Sequence, residues 1–264
     1  MKKVLVVGAN SYIGKKFKEY VELSNTDEIV VDMVSASNGS WEKADFSKYD
    51  VVVHLAAIVH RKEKKKMKPL YYRVNHQLVV DVAIKAKNSK VGHFIFMSTA
   101  AIYGSKLKYI TKDTKPKPDT YYGKSKLEAE NDISNLSSED FAVSIIRPPM
   151  VYGEDSPGNY RKLVKLSKFL FIIPDFHNKR SIINIDMLNE LLDEIITYRK
   201  EGIFHPQDKE YLDTCSFVAN TRNVNGKKTI LISHFNIIIR FFLKYSEKLN
   251  KIFGDFQYID LDDK

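Results

Sequence analysis

The chain has 264 residues, 44% of them hydrophobic and only 11 of them glycine, a composition that fits a globular protein with a large core and excludes a fibrous or disordered one. Forty-two Lys and Arg against 33 Asp and Glu leave a formal charge of +9, which favours anionic ligands; no zinc-finger spacing or RNA-recognition aromatic pattern goes with it, so nucleic acid is not the expected partner. One cysteine, Cys215, rules out an internal disulfide and suits a reducing compartment, and no apolar run approaches the roughly 18 residues needed to span a bilayer. The first strand starts by about residue 3, leaving no room for a signal peptide, so the expectation is a soluble cytoplasmic protein without membrane insertion.

Residues 3–7 predict an apolar strand and 14–23 a helix, joined by Gly8-Ala-Asn-Ser-Tyr-Ile-Gly14. A second strand is expected at 28–34 and a third at 49–55, with hardly space for a full helix between them. The basic run 60–68 reads as a solvated loop, or as a device that draws in a phosphorylated substrate. Residues 71–86 carry Val74, Leu78, Val82 and Ala86 at helical spacing; 93–97 is a strand, 116–120 a loop, 124–136 a helix and 141–146 a strand stopped by Pro148-Pro149. Strands apolar on both faces alternating with helices predict an α/β fold, a parallel sheet covered by helices on two sides. Beyond residue 150 the alternation fades, and pieces at 163–173, 187–198 and 230–253 suggest a small C-terminal lobe that supplies a second substrate's pocket. The expected division is a dinucleotide-binding domain at 1–150 and a substrate-binding lobe at 151–264, with 181–200 packing back on the core.

Tyr122 and Lys126 sit four residues apart at the opening of a helix, so both side chains face the same way. A phenol beside an ammonium is a means of moving a proton near neutral pH. Upstream, Gly8 permits a tight turn and Gly14 a close helix–sheet approach where a dinucleotide pyrophosphate would rest on a helix N-terminus. Ser11 stands where a middle glycine is usual; its hydroxyl could bond a phosphate or its Cβ could push the cofactor outward. The second strand ends in Val34-Ser35-Ala36-Ser37-Asn38, with Asp32 inside it, so neither an acid for NAD nor an arginine for NADP marks its tip. Ser98 and Thr99 follow the strand at 93–97, at the sheet end where a substrate would lie, and Thr99 could share a hydrogen bond with a sugar hydroxyl or carbonyl.

In this ordered set the chain resembles the extended short-chain dehydrogenase/reductases, the NAD-dependent epimerase/dehydratase family, in its sugar-nucleotide, UDP-glucose 4-epimerase-like branch. The resemblance runs over almost the whole chain and implies a Rossmann-type parallel sheet. It maps the glycine-rich cofactor loop to Gly8, Asn10, Ser11, Tyr12, Ile13 and Gly14, and an adenine-contacting pair to Asp45 and Phe46. His54, Leu55, Ala56 and Ala57 resemble the segment along the cofactor phosphates and ribose; Asn75, Ser98, and Arg147 with Pro148 match further cofactor-lining positions. Arg180, in Arg-Ser-Ile-Ile-Asn-Ile-Asp186, resembles an arginine that meets the nucleotide diphosphate of the substrate.

The resemblance implies that Lys126 holds the nicotinamide ribose and lowers the Tyr122 pKa from its reference near 10, while Thr99 holds the sugar oxygen. Thr99, Tyr122 and Lys126 are then catalytic, with Thr99 and Tyr122 also meeting substrate. The cofactor is NAD or NADP, the substrate a UDP- or dTDP-sugar, and no metal is expected. The reaction is 4-epimerisation through a transient keto-sugar, with a 4-keto-sugar reductase as the alternative. Elimination of water needs an acid–base pair after the threonine, and Ala100-Ala101 stand there. A cofactor-binding protein with little turnover is the competing class, motivated by Ser11 and a short C-terminal part. A homodimer through the helices at 71–86 and 124–136 is also implied.

Overall fold

The computed structural model describes residues 1–24, 28–59, 63–243 and 245–261; the start of the basic run, 60–62, lies outside them. In the first part, β1 (Lys2–Val7), α1 (Tyr12–Ser24), β2 (Ile29–Val34), a single turn α2 (Ser40–Lys43) and β3 (Val51–His54) follow one another. Next come α3 (Lys68–Tyr72), α4 (Leu78–Asn88), β4 (His93–Met97), the two-residue β5 (Tyr109–Ile110), α5 (Tyr121–Ser134) and β6 (Ala142–Ile146). The remainder contains β7 (Met150–Tyr152), α6 (Asn159–Phe169), β8 (Ile172–Pro174), β9 (Ile182–Asn184), α7 (Ile185–Tyr198) and β10 (Gly202–Phe204). It ends with α8 (Thr214–Val224), β11 (Ile230–Ile232), α9 (Phe235–Leu243), α10 (Glu247–Phe253) and β12 (Gln257–Tyr258).

Six parallel strands form the main sheet in the order β10-β6-β4-β3-β1-β2. Alternate residues of each strand feed opposite cores, as a period of two requires. Val4 and Val6 of β1 join Val51, Val53 and Ile95 beneath α1 and α7, whereas Leu5 and Val7 join Val52, Phe94 and Phe96 beneath α4 and α5. Burying one such side chain contributes ~1.5–3 kcal/mol, so two-sided burial of the sheet is the main stabilising term. α7 lies in the first of these cores through Leu188, Leu192, Ile195 and Ile196, and β10 adds a strand beside β6. The segment from β9 to β10 is therefore part of the sheet layer, although it follows residue 150.

Several elements differ from expectation for local reasons. The helix expected over 71–86 is interrupted by a π-helical turn at Arg73–Gln77, which swings Asn75 into the interior. The helix bearing Tyr122 starts at Tyr121, because Thr120 caps it: its hydroxyl accepts from the Gly123 amide at 3.0 Å. The 163–173 piece is a helix ending at Phe169 followed by β8, and 230–253 is β11 and two helices, the second capped by Ser246.

Between β1, which leads to β2 on one side, and β3, which leads to β4 on the other, the chain reverses its direction along the sheet. The carboxyl ends of β1 and β3 diverge there and open a crevice, the place where an open α/β sheet binds ligands.

Candidate active site

The crevice floor is the loop from Gly8 to Gly14. Gly8 has φ +133° and a Cβ there would lie 2.9 Å from the Ala56 nitrogen, so both conformation and the end of β3 demand glycine. Ser11 resolves the ambiguity of the missing middle glycine: its Oγ accepts from the Gly14 amide at 2.9 Å, which makes it the N-cap of α1. A Cβ on Gly14 would approach that Oγ to 2.7 Å, so cap and glycine require each other. Among the described residues the amides of Tyr12 and Ile13 find no acceptor, no acidic residue stands in the first turn, and Asn10 is exposed beside them. Positive helix-end potential with free donors is what a diphosphate needs, so this loop fits a dinucleotide. The Tyr12 ring is used elsewhere, its hydroxyl donating to the Glu154 carbonyl at 2.9 Å.

Four expected cofactor contacts are placed differently. Asp45 caps the short turn Phe46–Lys48, accepting from the Ser47 amide and hydroxyl at 3.1 and 2.6 Å, which holds its carboxyl below the usual range. The Phe46 side chain is 1% exposed in the core, under the Lys85 ammonium at 4.7 Å, because the turn directs it inward. Asn75 reads the backbone of Ile58 from both ends, Oδ1 accepting from its amide at 2.8 Å and Nδ2 donating to its carbonyl at 3.0 Å. It therefore shapes the loop after β3 and positions Ala56 and Ala57. Ser98 turns its hydroxyl to the Glu130 carboxylate.

His54, the last residue of β3, is fully buried between Phe94 and Phe96, and neither ring nitrogen has a hydrogen-bond partner. Burial pushes its pKa down to about 3, helped by the nearby Lys126 charge; the Ala56 backbone opposes the shift without meeting hydrogen-bond geometry. Leu55 packs into the core and the Ala56 amide donates to the Val7 carbonyl at 3.1 Å, locking β3 to β1 at the crevice.

Thr99 and Tyr122 are brought together. Thr99 starts the turn Ala100–Tyr103, its Oγ1 accepting from the Ala101 amide at 3.1 Å, and it lies near enough to the Tyr122 phenol to act on its pKa. Lys126 lies one turn further along α5, but the expected charge contact with Tyr122 is not made. Its ammonium is 1% exposed, donates to the Met97 carbonyl at 2.7 Å and lies 4.4 Å from the Phe96 ring centre. A buried ammonium must find an acceptor, and the end of β4 supplies one. Burial pushes Lys126 down to about 7, with Glu130 opposing, and pushes Tyr122 up to about 12, with Thr99 opposing.

Sequence reasoning missed two carboxylates that organise α5. Glu63 accepts from the Tyr121 and Tyr122 amides at 2.8 and 3.0 Å, tying the basic run to the helix start; it is the one acid among the lysines there, which is the signal. Glu130, one turn after Lys126, pairs with Arg147 at 2.6 Å and 97% of its side chain is out of solvent. Arg147 thus directs its guanidinium to Glu130 and to the Tyr103 hydroxyl at 2.8 Å. Beside it, the Pro148 carbonyl accepts from Ala100 at 2.9 Å. Arg180 is directed into the lobe, donating to the Gly254 carbonyl at 2.5 Å and the Asn250 carbonyl at 3.3 Å. Its Nε and Nη2 have no hydrogen-bond partner among the described residues, and the Asp255 charge acts on the guanidinium. Among those residues no group of three or more His, Cys, Asp or Glu could hold a metal ion, and Cys215 is a buried thiol pushed up to about 11.

The model of the NAD dependent epimerase/dehydratase family matches residues 4–192, from the first strand through α7. The chain belongs to this family. A curated member, UDP-glucose 4-epimerase of Vibrio cholerae, is 30% identical over 243 residues, covering 82% of this chain and 74% of that protein. Solved structures share the family's fold at lower identity. UDP-glucuronic acid 4-epimerase from Bacillus cereus in complex with NAD gives a TM-score of 0.68 at 21% identity, covering 88% of this chain and 87% of its own. dTDP-4-dehydrorhamnose reductase from Bacillus anthracis in complex with NADP gives 0.70 at 18% identity, covering 88% and 84%. Family membership accounts for the glycine loop and for the Tyr122–Lys126 spacing together.

Proposed function

We infer that the chain is a nucleotide-sugar 4-epimerase that uses NAD or NADP, and that Thr99, Tyr122 and Lys126 carry the chemistry. The supporting observation is that Thr99 and Tyr122 are neighbours at the sheet's carboxyl edge with Lys126 one helical turn away. A bound nicotinamide dinucleotide supplies acceptance and return of hydride. The α1 N-terminus holds its diphosphate through the Tyr12 and Ile13 amides, and Ala56 and Ala57 line the opposite wall.

The Thr99 hydroxyl holds the sugar oxygen, and Tyr122 exchanges the proton on that oxygen. At about 12 the phenol is protonated at neutral pH and ready to donate. Taking a proton requires that pKa to fall, for which the Lys126 ammonium, one helical turn away, would have to turn from the Met97 carbonyl towards the phenol. Ala100 and Ala101 offer no carboxyl to expel water, so the sugar keeps its hydroxyls. Arg180, through Nε and Nη2, is the candidate for the sugar's diphosphate. A keto-sugar reductase is the second reading, favoured by a phenol that rests in its donor form.

This reading puts the enzyme in the cytoplasm and pairs two copies through α4 and α5, which lie side by side within the chain, His76 of the π turn before α4 being 2.6 Å from Asp132 of α5. The test is turnover of a panel of UDP- and dTDP-sugars, with and without added NAD(P)H. Interconversion without net cofactor oxidation supports the epimerase, stoichiometric oxidation the reductase; inertness across the panel sinks both. Tyr122→Phe is expected to abolish interconversion with dinucleotide affinity nearly unchanged, and full turnover in this variant would remove Tyr122 from the chemistry.

A further inference from the structure

The lobe carries an apolar face that no described residue covers. On α9, Ile239 and Leu243 turn inward to pack with Phe176, Cys215 and Val218. Ile237, Ile238, Phe241, Phe242 and Tyr245 turn outward at intervals of one, three and four residues, and Ile237 is 80% and Phe241 60% exposed. The parallel ribbon of β8 and β11 continues this surface through Ile172, Ile230 and Leu231, with Phe169 79% exposed just before it. The Asn236 side chain, donating to the Asp175 carbonyl at 2.7 Å, fixes the start of α9 at the end of β8. Scattered exposed apolar residues are ordinary; a helix face and an adjoining ribbon are a patch.

Charge says what would cover it. Residues 159–174 and 214–246, which build α6, the ribbon, α8 and α9, contain nine Lys or Arg and no Asp or Glu. Arg222 is buried, tying α8 to α6 through the Ser167 carbonyl at 2.8 Å, but Lys165, Lys168, Lys227, Lys228 and Arg240 are exposed. Asp175, just past β8, is paired with His177 at 3.5 Å. A second copy of the same face would bring basic residues against basic residues. An anionic surface with an apolar layer beneath satisfies both properties. At nine residues α9 is about 13.5 Å long, and no helix among the described residues is long and apolar enough to cross a membrane.

We propose that α9 and the β8–β11 ribbon dock the protein peripherally on a membrane surface rich in anionic lipid. α9 lies in the interface plane, with Ile237, Phe241 and Tyr245 among the acyl chains and the flanking lysines at the headgroups. The catalytic crevice remains in water, so the surface is independent of the reaction.

Flotation of the purified full chain with vesicles of phosphatidylcholine alone, or of phosphatidylcholine with phosphatidylglycerol, tests this. Binding is expected on the anionic vesicles at low salt, at least about tenfold weaker on neutral ones, and weakened by salt. Ile237→Glu/Phe241→Glu is expected to lose flotation, and Lys227→Glu/Lys228→Glu to lose its lipid-charge dependence. Both should keep the wild-type melting temperature and the wild-type turnover of soluble nucleotide sugars, if any, so a failed activity assay leaves this test intact. No flotation on either vesicle, equal flotation of the Ile237/Phe241 variant, or a dimer in solution that the same substitutions dissolve would overturn the proposal.

Discussion

His54 and Lys126 share a dry strip at the carboxyl ends of β3 and β4, and the Lys126 charge makes protonating His54 more costly. His54 is held neutral: in the unfolded chain it takes a proton near its reference of 6.5, in the folded protein only near 3. Its contribution is therefore fully present above about pH 6.5 and is lost as the pH falls towards 3, at ~1.4 kcal/mol per pH unit over that window. His54→Leu is expected to move the acid-unfolding midpoint, followed by circular dichroism, to lower pH. An unmoved midpoint would show that another group governs acid sensitivity. Tyr122 and Lys126 were legible as residues from their spacing alone, yet their protonation states were not. The expected lowering of Tyr122 by Lys126 assumed two side chains meeting on one helical face; instead the Lys126 ammonium turns to the Met97 carbonyl and the Phe96 ring, and burial of the phenol raises it.

Helix starts position the site. α1 begins at Ser11 and α5 at Thr120, each presenting its first turn towards the crevice. The serine that looked like a defect in the glycine loop is what caps α1. Ser11→Ala is expected to cost about 1 kcal/mol in urea unfolding and Ser11→Gly only a few tenths, since glycine meets the backbone geometry without the hydroxyl. Equal losses in the two variants would mean that the hydroxyl caps nothing. Strands at 93–97 and 3–7 were readable because runs buried on both faces are continuously apolar. The helix at 71–86 was readable as apolar periodicity but not as three pieces, because the π turn follows from Asn75 seeking the Ile58 backbone, a partner 17 residues away.

Across the whole molecule, a buried polar chain joins the sheet to the end of the described chain. Ser98, Glu130, Arg147, Tyr103 and His205 are linked in that order, with Tyr103 and His205 2.7 Å apart, and the Tyr258 hydroxyl closes it on the Arg147 carbonyl at 2.7 Å. Glu130→Ala would leave Arg147 buried without its counter-charge and is expected to cost ~3–5 kcal/mol, read as a lowered melting temperature. A loss below about 1 kcal/mol would show that water replaces the carboxylate.

By itself the sequence determined the layered α/β class, the crevice loop and the family, and it named Thr99, Tyr122 and Lys126 as candidates, because periodicity and motif spacing are local properties. The tertiary structure alone decided that the Arg147, Ser98 and Phe46 side chains find partners in the interior, that β10 joins the sheet beside β6, and that α9 keeps one face exposed. These depend on which distant groups compete for each donor, charge and apolar surface, and chain order does not encode that competition.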